Sequence, residues 1–208
     1  RSGIGELTLI DMDDICVTNI NRQLPAMSGT IGKLKTEVMS ERVKLINPEC
    51  TVNIIDDFIS PENQSDYLNR GYDYVIDAID NVKTKASLIA YCKRNKINVI
   101  TIGGAGGQTD PTQIQIADLS KTIQDPLLAK VRSVLRKDYN FSQNPKRKFS
   151  IDAIFSTQPL IFPQMTEDCS ISATMNCANG FGAATMITAT FGFFAVSRVI
   201  DKLLKKKS

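Results

Sequence analysis

Short apolar runs alternate with helical patterns along the first half of this chain, and that cadence restricts the fold more than any other feature. Strand-like residues 7–10, Thr51–Ile55, 74–76 and 98–102 are interleaved with helix-like residues 33–46 and Val82–Arg94. Strands joined by helical crossovers build parallel sheets, so a Rossmann-like, doubly wound α/β fold with a mainly parallel sheet is expected. Asn47-Pro48 stops the first helix, and Ser60-Pro61-Glu62 is expected to start a short one, a capping hydroxyl preceding a first-turn proline. Residues 127–139 read as a basic amphipathic helix and 149–155 as a late strand, while 159–169 show no period and read as a mobile loop.

With 208 residues, 42% of them hydrophobic, the chain can bury the core of one domain, and residues 1–208 are read as a single nucleotide-binding unit. Histidine is absent, which removes Ser-His and Cys-His nucleophile chemistry and any histidine-ligated metal. Cysteines at 16, 50, 92, 169 and 177 form no CxxC pair, so neither a zinc site nor a disulfide framework is indicated, and a reducing, cytoplasmic setting fits. A net charge of +3 says little; its distribution says more. Lys146-Arg147-Lys148 and the lysine-rich 202–207 are local basic patches suited to RNA phosphates, to anionic lipid, or only to water.

Residues 180–196 carry no charge and precede those lysines, so a membrane-associated C-terminal helix is the alternative to a soluble one. A span needs about 20 apolar residues. With Gly180, Gly182 and Gly192 among them, these residues better suit an apolar helix buried under the sheet or in a dimer interface.

The candidate chemistry lies just past the first strand, where Asp11 is followed by Asn19, Arg22, Gln23 and then Lys35, with Asp80-Asn81 ending a later apolar run. An aspartate at a strand's carboxyl end can accept hydrogen bonds from ribose hydroxyls, and Arg and Lys neutralise phosphate oxygens. A further carboxylate can hold magnesium, which prefers few protein oxygens plus phosphates. Arg22, Lys35 and Asp80 therefore rank first, as residues for a nucleoside triphosphate and its metal. The bland readings are a surface ion pair for Arg22 and Lys35 and a helix cap for Asp80. Gly103-Gly104-Ala105-Gly106-Gly107 follows a strand, but no helical pattern comes after it, so it reads as a flexible loop at the substrate edge rather than a phosphate cradle.

In dinucleotide-type folds a glycine fingerprint precedes the ribose acid by about 20 residues. Asp11 stands too near the start for that, so the first βα unit is expected upstream, with Gly3 and Gly5 as helix-stop residues and the chain N-terminally truncated.

Asp11-x-Asp13, Thr18-Asn19-x-x-Arg22-Gln23, Gly32-x-x-Lys35 and Asp77-x-x-Asp80-Asn81 together resemble the MoeB/ThiF adenylating superfamily, related to ubiquitin-activating enzymes. Within it, Asn176-Cys177 and the glycine- and alanine-rich residues after them, the glycine loop with Asp110-Pro111-Thr112, and Phe155 to Gln158 leading to Phe162-Pro163-Gln164 are similar to the tRNA threonylcarbamoyladenosine dehydratase group. The resemblance implies ATP-dependent cyclisation of threonylcarbamoyladenosine in tRNA through an acyl-adenylate. It implies that Asp11 contacts ribose, that Asn19, Arg22 and Lys35 contact phosphates, that Asp80 serves magnesium and the reacting phosphate, and that Gln23 and Asn81 shape the pocket.

The same resemblance implies ATP and Mg2+ as cofactors, a structural monovalent cation, a homodimer, and cysteine desulfurase or sulfur-acceptor proteins as partners. It makes Cys177 a low-ranking nucleophile, since ubiquitin-activating relatives use a thioester cysteine, yet no neighbouring lysine lowers its pKa here. The stretch between Gln164 and Cys177 is shorter than in the group, which weakens any role for Cys169. Adenylation of a ubiquitin-like sulfur carrier is the alternative, disfavoured by the missing CxxC pairs of such relatives; a non-catalytic scaffold for a sulfur-transfer partner is a third reading. An NAD dehydrogenase is weakest, because Arg22 and Lys35 suit a triphosphate better than a dinucleotide.

Overall fold

The computed structural model describes residues 2–162 and 182–207, the side chains of the last two excepted. β1 (Glu6–Ile10) pairs in parallel with β2 (Thr51–Ile55) through the crossover helix α1 (Lys35–Ile46). A second sheet has the order β3 (Val75–Asp77), β4 (Val99–Ile102), β6 (Asp152–Ser156), β5 (Ile114–Asp118). Its first three strands are parallel, with helix α3 (Val82–Arg94) between β3 and β4, and β5 adds an antiparallel edge. The expected parallel α/β architecture is present, with its strands shared between two sheets.

Several boundaries move for identifiable reasons. α1 begins at Lys35 rather than 33, because Lys33 and Leu34 are held in extended pairing: the Ile15 amide donates to Lys33 C=O at 2.9 Å, and Leu34 bridges Asp14. Ser60 Oγ does accept from the amides of Glu62 and Asn63, but that bond closes a turn, and helix α2 (Gln64–Leu68) starts only after it. β6 begins at Asp152 rather than 149, since the Phe149 and Ser150 amides donate to the Asp118 carboxylate instead of a ladder, and Ser150 takes φ of 59°.

Both faces of the larger sheet are covered. On one, α3 and α4 (Pro126–Asp138) bury Ala86, Ile89, Leu128, Val131 and Leu135. On the other, α5 (Thr185–Lys207) packs Ile187, Phe191, Ala195 and Val199 against Ile100, Ile114 and Ile154. From Thr185 onward the uncharged C-terminal run is thus a helix under the sheet, as its small residues suggested, and it continues through the lysine tail. Among the described residues no helix is long and apolar enough to cross a membrane.

Candidate nucleotide site

Asp11 follows β1 directly. Its amide donates to Ile55 C=O at 3.3 Å, and its carboxylate accepts from the Asp13 amide at 2.8 Å. Gly32, at φ of +81°, makes the turn that returns the chain to this point, a conformation that a β-carbon would penalise. Lys35, the first residue of α1, then places Nζ 2.6 Å from Asp13 Oδ2 and 3.9 Å from Asp11 Oδ2. The surface ion pair weighed for Lys35 therefore exists, with Asp13 as chief partner. Both carboxylates are partly exposed, so the pair contributes only about 0–1 kcal/mol, and an incoming phosphate can compete for the ammonium.

Arg22 sits on the turns after a short 3-10 segment (Val17–Asn19). Its Nη1 donates to Thr18 C=O at 2.8 Å and to Asn21 Oδ1 at 3.1 Å, and no carboxylate pairs with it among the described residues. Asn19 is buried; its Oδ1 accepts from the Cys16 amide at 3.1 Å, leaving the amide NH2 without a partner among the described residues. Gln23 is half-buried and anchors its backbone N–H on Asn19 C=O at 2.9 Å.

Beyond the end of β3, Asn81 caps α3 by accepting from the amides of Lys83 and Thr84, both at 3.1 Å. The capping role weighed for Asp80 thus falls to its neighbour. Asp80 is exposed and has no hydrogen-bond or ion-pair partner among the described residues. No group of three or more Asp, Glu, Cys or His side chains suited to a metal occurs among the described residues. A lone strand-end carboxylate fits magnesium, whose remaining ligands are then phosphate oxygens and water. The structure joins Lys35 with Asp11 and Asp13; no hydrogen bond or ion pair among the described residues ties that group to Asp80.

Behind Asp80 lies a feature that the sequence reading passed over. Asp77 and Lys85 form a fully buried ion pair of 3.0 Å, in which Thr101 Oγ1 donates to Asp77 at 2.7 Å and Lys85 Nζ donates to Ile79 C=O at 2.8 Å. Lys85 stands in helical phase with buried Leu88, Ile89 and Cys92, which was the available signal.

The glycine loop lies at the same carboxyl edge but is tied rather than loose. The Gly104 amide donates to Asp125 Oδ2 at 3.0 Å, the Gly107 amide to Gly182 C=O at 3.1 Å, and Gly106 bridges Ala183. Burial pushes the Asp125 carboxyl up, against hydrogen bonds from the Leu128 and Gly104 amides. A cavity of about 430 Å³ opens beside this point, lined by Gln124, Asp125, Arg132, Leu160 and Phe162 among others, and none of the nucleotide candidates borders it.

Both basic patches lie at the opposite edge. Lys146-Arg147-Lys148 precede Phe149, whose amide is clamped by Asp118 where β5 ends, and α4 runs there from the glycine loop over about 20 Å. The C-terminal turns of α5 follow Arg198, which grips Asp152 at the start of β6 at 2.7 Å. Cys169 and Cys177 fall outside the described residues.

The ThiF family pattern matches residues 1–208. A curated tRNA threonylcarbamoyladenosine dehydratase of Haemophilus influenzae is 99% identical over 208 residues, covering all of this chain and 80% of that protein. Its Escherichia coli counterpart is 56% identical over 213 residues, covering 99% of this chain and 80% of the relative. The E. coli enzyme TcdA crystallised with ATP superposes at a TM-score of 0.88 with 55% identity, over 99% of this chain and 78% of that one.

Proposed function

This chain belongs to the ThiF family, and from that premise we propose that it carries out ATP-dependent dehydration of threonylcarbamoyladenosine in tRNA, as an adenylate-forming enzyme. The observation that carries the reading is near-identity along the whole chain to a curated dehydratase, together with the structural match to a counterpart crystallised with ATP.

The threonyl carboxylate is a poor electrophile, because attack at its carbonyl would have to expel oxide. Its oxygen attacks the α-phosphorus of ATP, forming a mixed anhydride and releasing pyrophosphate. A ureido nitrogen then attacks the activated carbonyl, AMP leaves, the nitrogen's proton passes to solvent, and a five-membered ring closes with a large proximity advantage. No protein nucleophile enters this sequence, so Cys177 is not required by it.

Arg22 and Lys35 act where negative charge grows on phosphoryl oxygens, the largest expected contribution to catalysis. Asp11 accepts from the ribose, the Asn19 amide donates to phosphate, and Gln23 and Asn81 line the pocket. Asp13 holds the Lys35 ammonium near phosphate height before nucleotide arrives, which its 2.6 Å contact supports. Asp80 is the residue that would hold magnesium, which supplies charge neutralisation on the phosphates when bound.

The substrate macromolecule is tRNA, and its backbone meets the basic groups at the far edge. A homodimer is supported by exposed apolar residues on the outer side of α5, where Met186, Phe193, Val196 and Leu204 recur at helical spacing.

The test is steady-state cyclisation by the full chain with ATP, magnesium and tRNA bearing threonylcarbamoyladenosine, read by nucleoside mass spectrometry. One AMP per cyclised nucleoside is expected, with Arg22→Ala and Lys35→Ala each lowering kcat/KM by roughly 10²-fold or more. Absence of the cyclic nucleoside, or an Arg22→Ala variant equal to the parent, overturns the reading.

A further inference from the structure

The Arg22 loop is fastened to the first turn of α5 from three directions. Thr188 Oγ1 donates to Arg22 C=O at 2.7 Å, Thr185 Oγ1 donates to Asn21 C=O at 2.9 Å, and Asn21 Nδ2 donates to Ala183 C=O at 3.0 Å. The Asn21 side chain is thereby oriented at both ends. With its NH2 committed to Ala183, its Oδ1 must face the other way, and there it accepts from Arg22 Nη1 at 3.1 Å. Residues 182–183 are themselves fixed by the glycine loop through the Gly107 amide and the Gly106–Ala183 bridge. A continuous hydrogen-bonded path thus runs from the loop after β4, through the residues leading into α5, to the guanidinium.

This arrangement answers a specific difficulty. Arg22 has no carboxylate partner among the described residues, and a long side chain loses rotamer freedom when it engages phosphate. A group already held at its working angle loses less on binding and is better placed as charge develops. The hydroxyl of Thr188 and the amide of Asn21 hold it so, although neither belongs to the expected phosphate-binding set.

We infer that Asn21 and Thr188 are positioning residues: they aim the Arg22 guanidinium by clamping its loop to the start of α5. The inference rests on the reading of Arg22 as a phosphate-binding group. It adds that α5, beyond covering the sheet, sets the geometry of the nucleotide site.

The experiment is a double-mutant cycle in the full chain, with kcat and the KM for ATP measured during cyclisation of threonylcarbamoyl-tRNA. Thr188→Val is expected to lower kcat/KM for ATP roughly tenfold, and Thr188→Ser, which keeps the hydroxyl, to restore most of it. In an Arg22→Ala background the further cost of Thr188→Val should vanish, because nothing remains to be aimed. Asn21→Ala provides an independent arm with the same expected pattern if the valine variant folds poorly.

A Thr188→Val or Asn21→Ala cost that persists undiminished without Arg22 shows a general packing role and overturns the inference. So does wild-type behaviour of both single variants. An Arg22→Ala variant with parental kinetics removes instead the underlying reading of Arg22, and the inference falls with it.

Discussion

Lys85 Nζ stands 3.0 Å from Asp77 Oδ2 with both side chains sealed from solvent, on the turn that leads from β3 to Asp80. Thr101 and the Ile79 backbone satisfy the remaining hydrogen-bonding groups. Removing one partner of such a pair strands a buried charge. Lys85→Met is therefore expected to cost about 3–5 kcal/mol in urea-induced unfolding. Adding Asp77→Leu should recover part of this loss, with the Thr101 hydroxyl left unpaired. A cost below about 1 kcal/mol for Lys85→Met would mean that the pair is not sealed as described.

Two glycines are expected to respond oppositely to the same substitution. A β-carbon on Gly103 would lie 2.0 Å from Asp125 Oδ2 and 3.0 Å from Ile154 C=O, both held by the surrounding structure. Gly103→Ala should destabilise by about 1–3 kcal/mol or prevent folding, through overpacking. Gly192 lies within α5 with nothing within 4 Å of the added carbon. Gly192→Ala should stabilise by up to about 1 kcal/mol, raising Tm, because the helix no longer bears glycine's conformational entropy.

Asp118 supplies a pH signature. Burial pushes its carboxyl up, but hydrogen bonds from Ser120, Phe149 and Ser150 outweigh burial and leave it below the ordinary value. A depressed folded-state pKa gives stability that is complete above the unfolded value of about 3.9 and is lost as pH falls through the folded one. Asp118→Asn should thus unfold more easily than the parent from neutral pH down to about 4, and the gap should narrow under more acid conditions. Paired denaturation curves across that range measure it. A constant gap would assign the effect to lost packing alone.

How much of this was legible beforehand depends on where the information sits. α3 is read correctly from Val82 to Arg94 because its cap, Asn81, and its apolar phase are local. β5 escaped because Ile114–Asp118 follows a glycine- and proline-rich stretch and becomes a strand only by pairing with β6. Lys35 was found from charge and spacing, but its neighbour Asp13 was given no role, since the turn at Gly32 that joins them is visible only in three dimensions. Thr188 and Asn21 are far apart in sequence, and nothing in either residue's surroundings signals the other.

The cysteines should separate by accessibility. Burial raises the Cys92 thiol to about 12, and the residue is closed to solvent. Cys50 is also buried, whereas Cys16 is exposed beside the 3-10 segment. Brief iodoacetamide treatment of the native protein at pH 8, followed by peptide mass spectrometry, should modify Cys16 well before Cys50 or Cys92. Denaturant should expose all three. Early modification of Cys92 would contradict its placement on the buried face of α3.

On the proposed function, the separation between the nucleotide residues at one rim of the sheet and the lysine-rich patches at the other makes length a selection criterion. A polyanion that grips the distant cations must still deliver its reactive carboxylate across the thickness of the molecule, so reach becomes a measure of fit alongside chemistry. An isolated modified nucleoside presents the same carboxylate to bound ATP but binds feebly, for want of anything to hold on to behind.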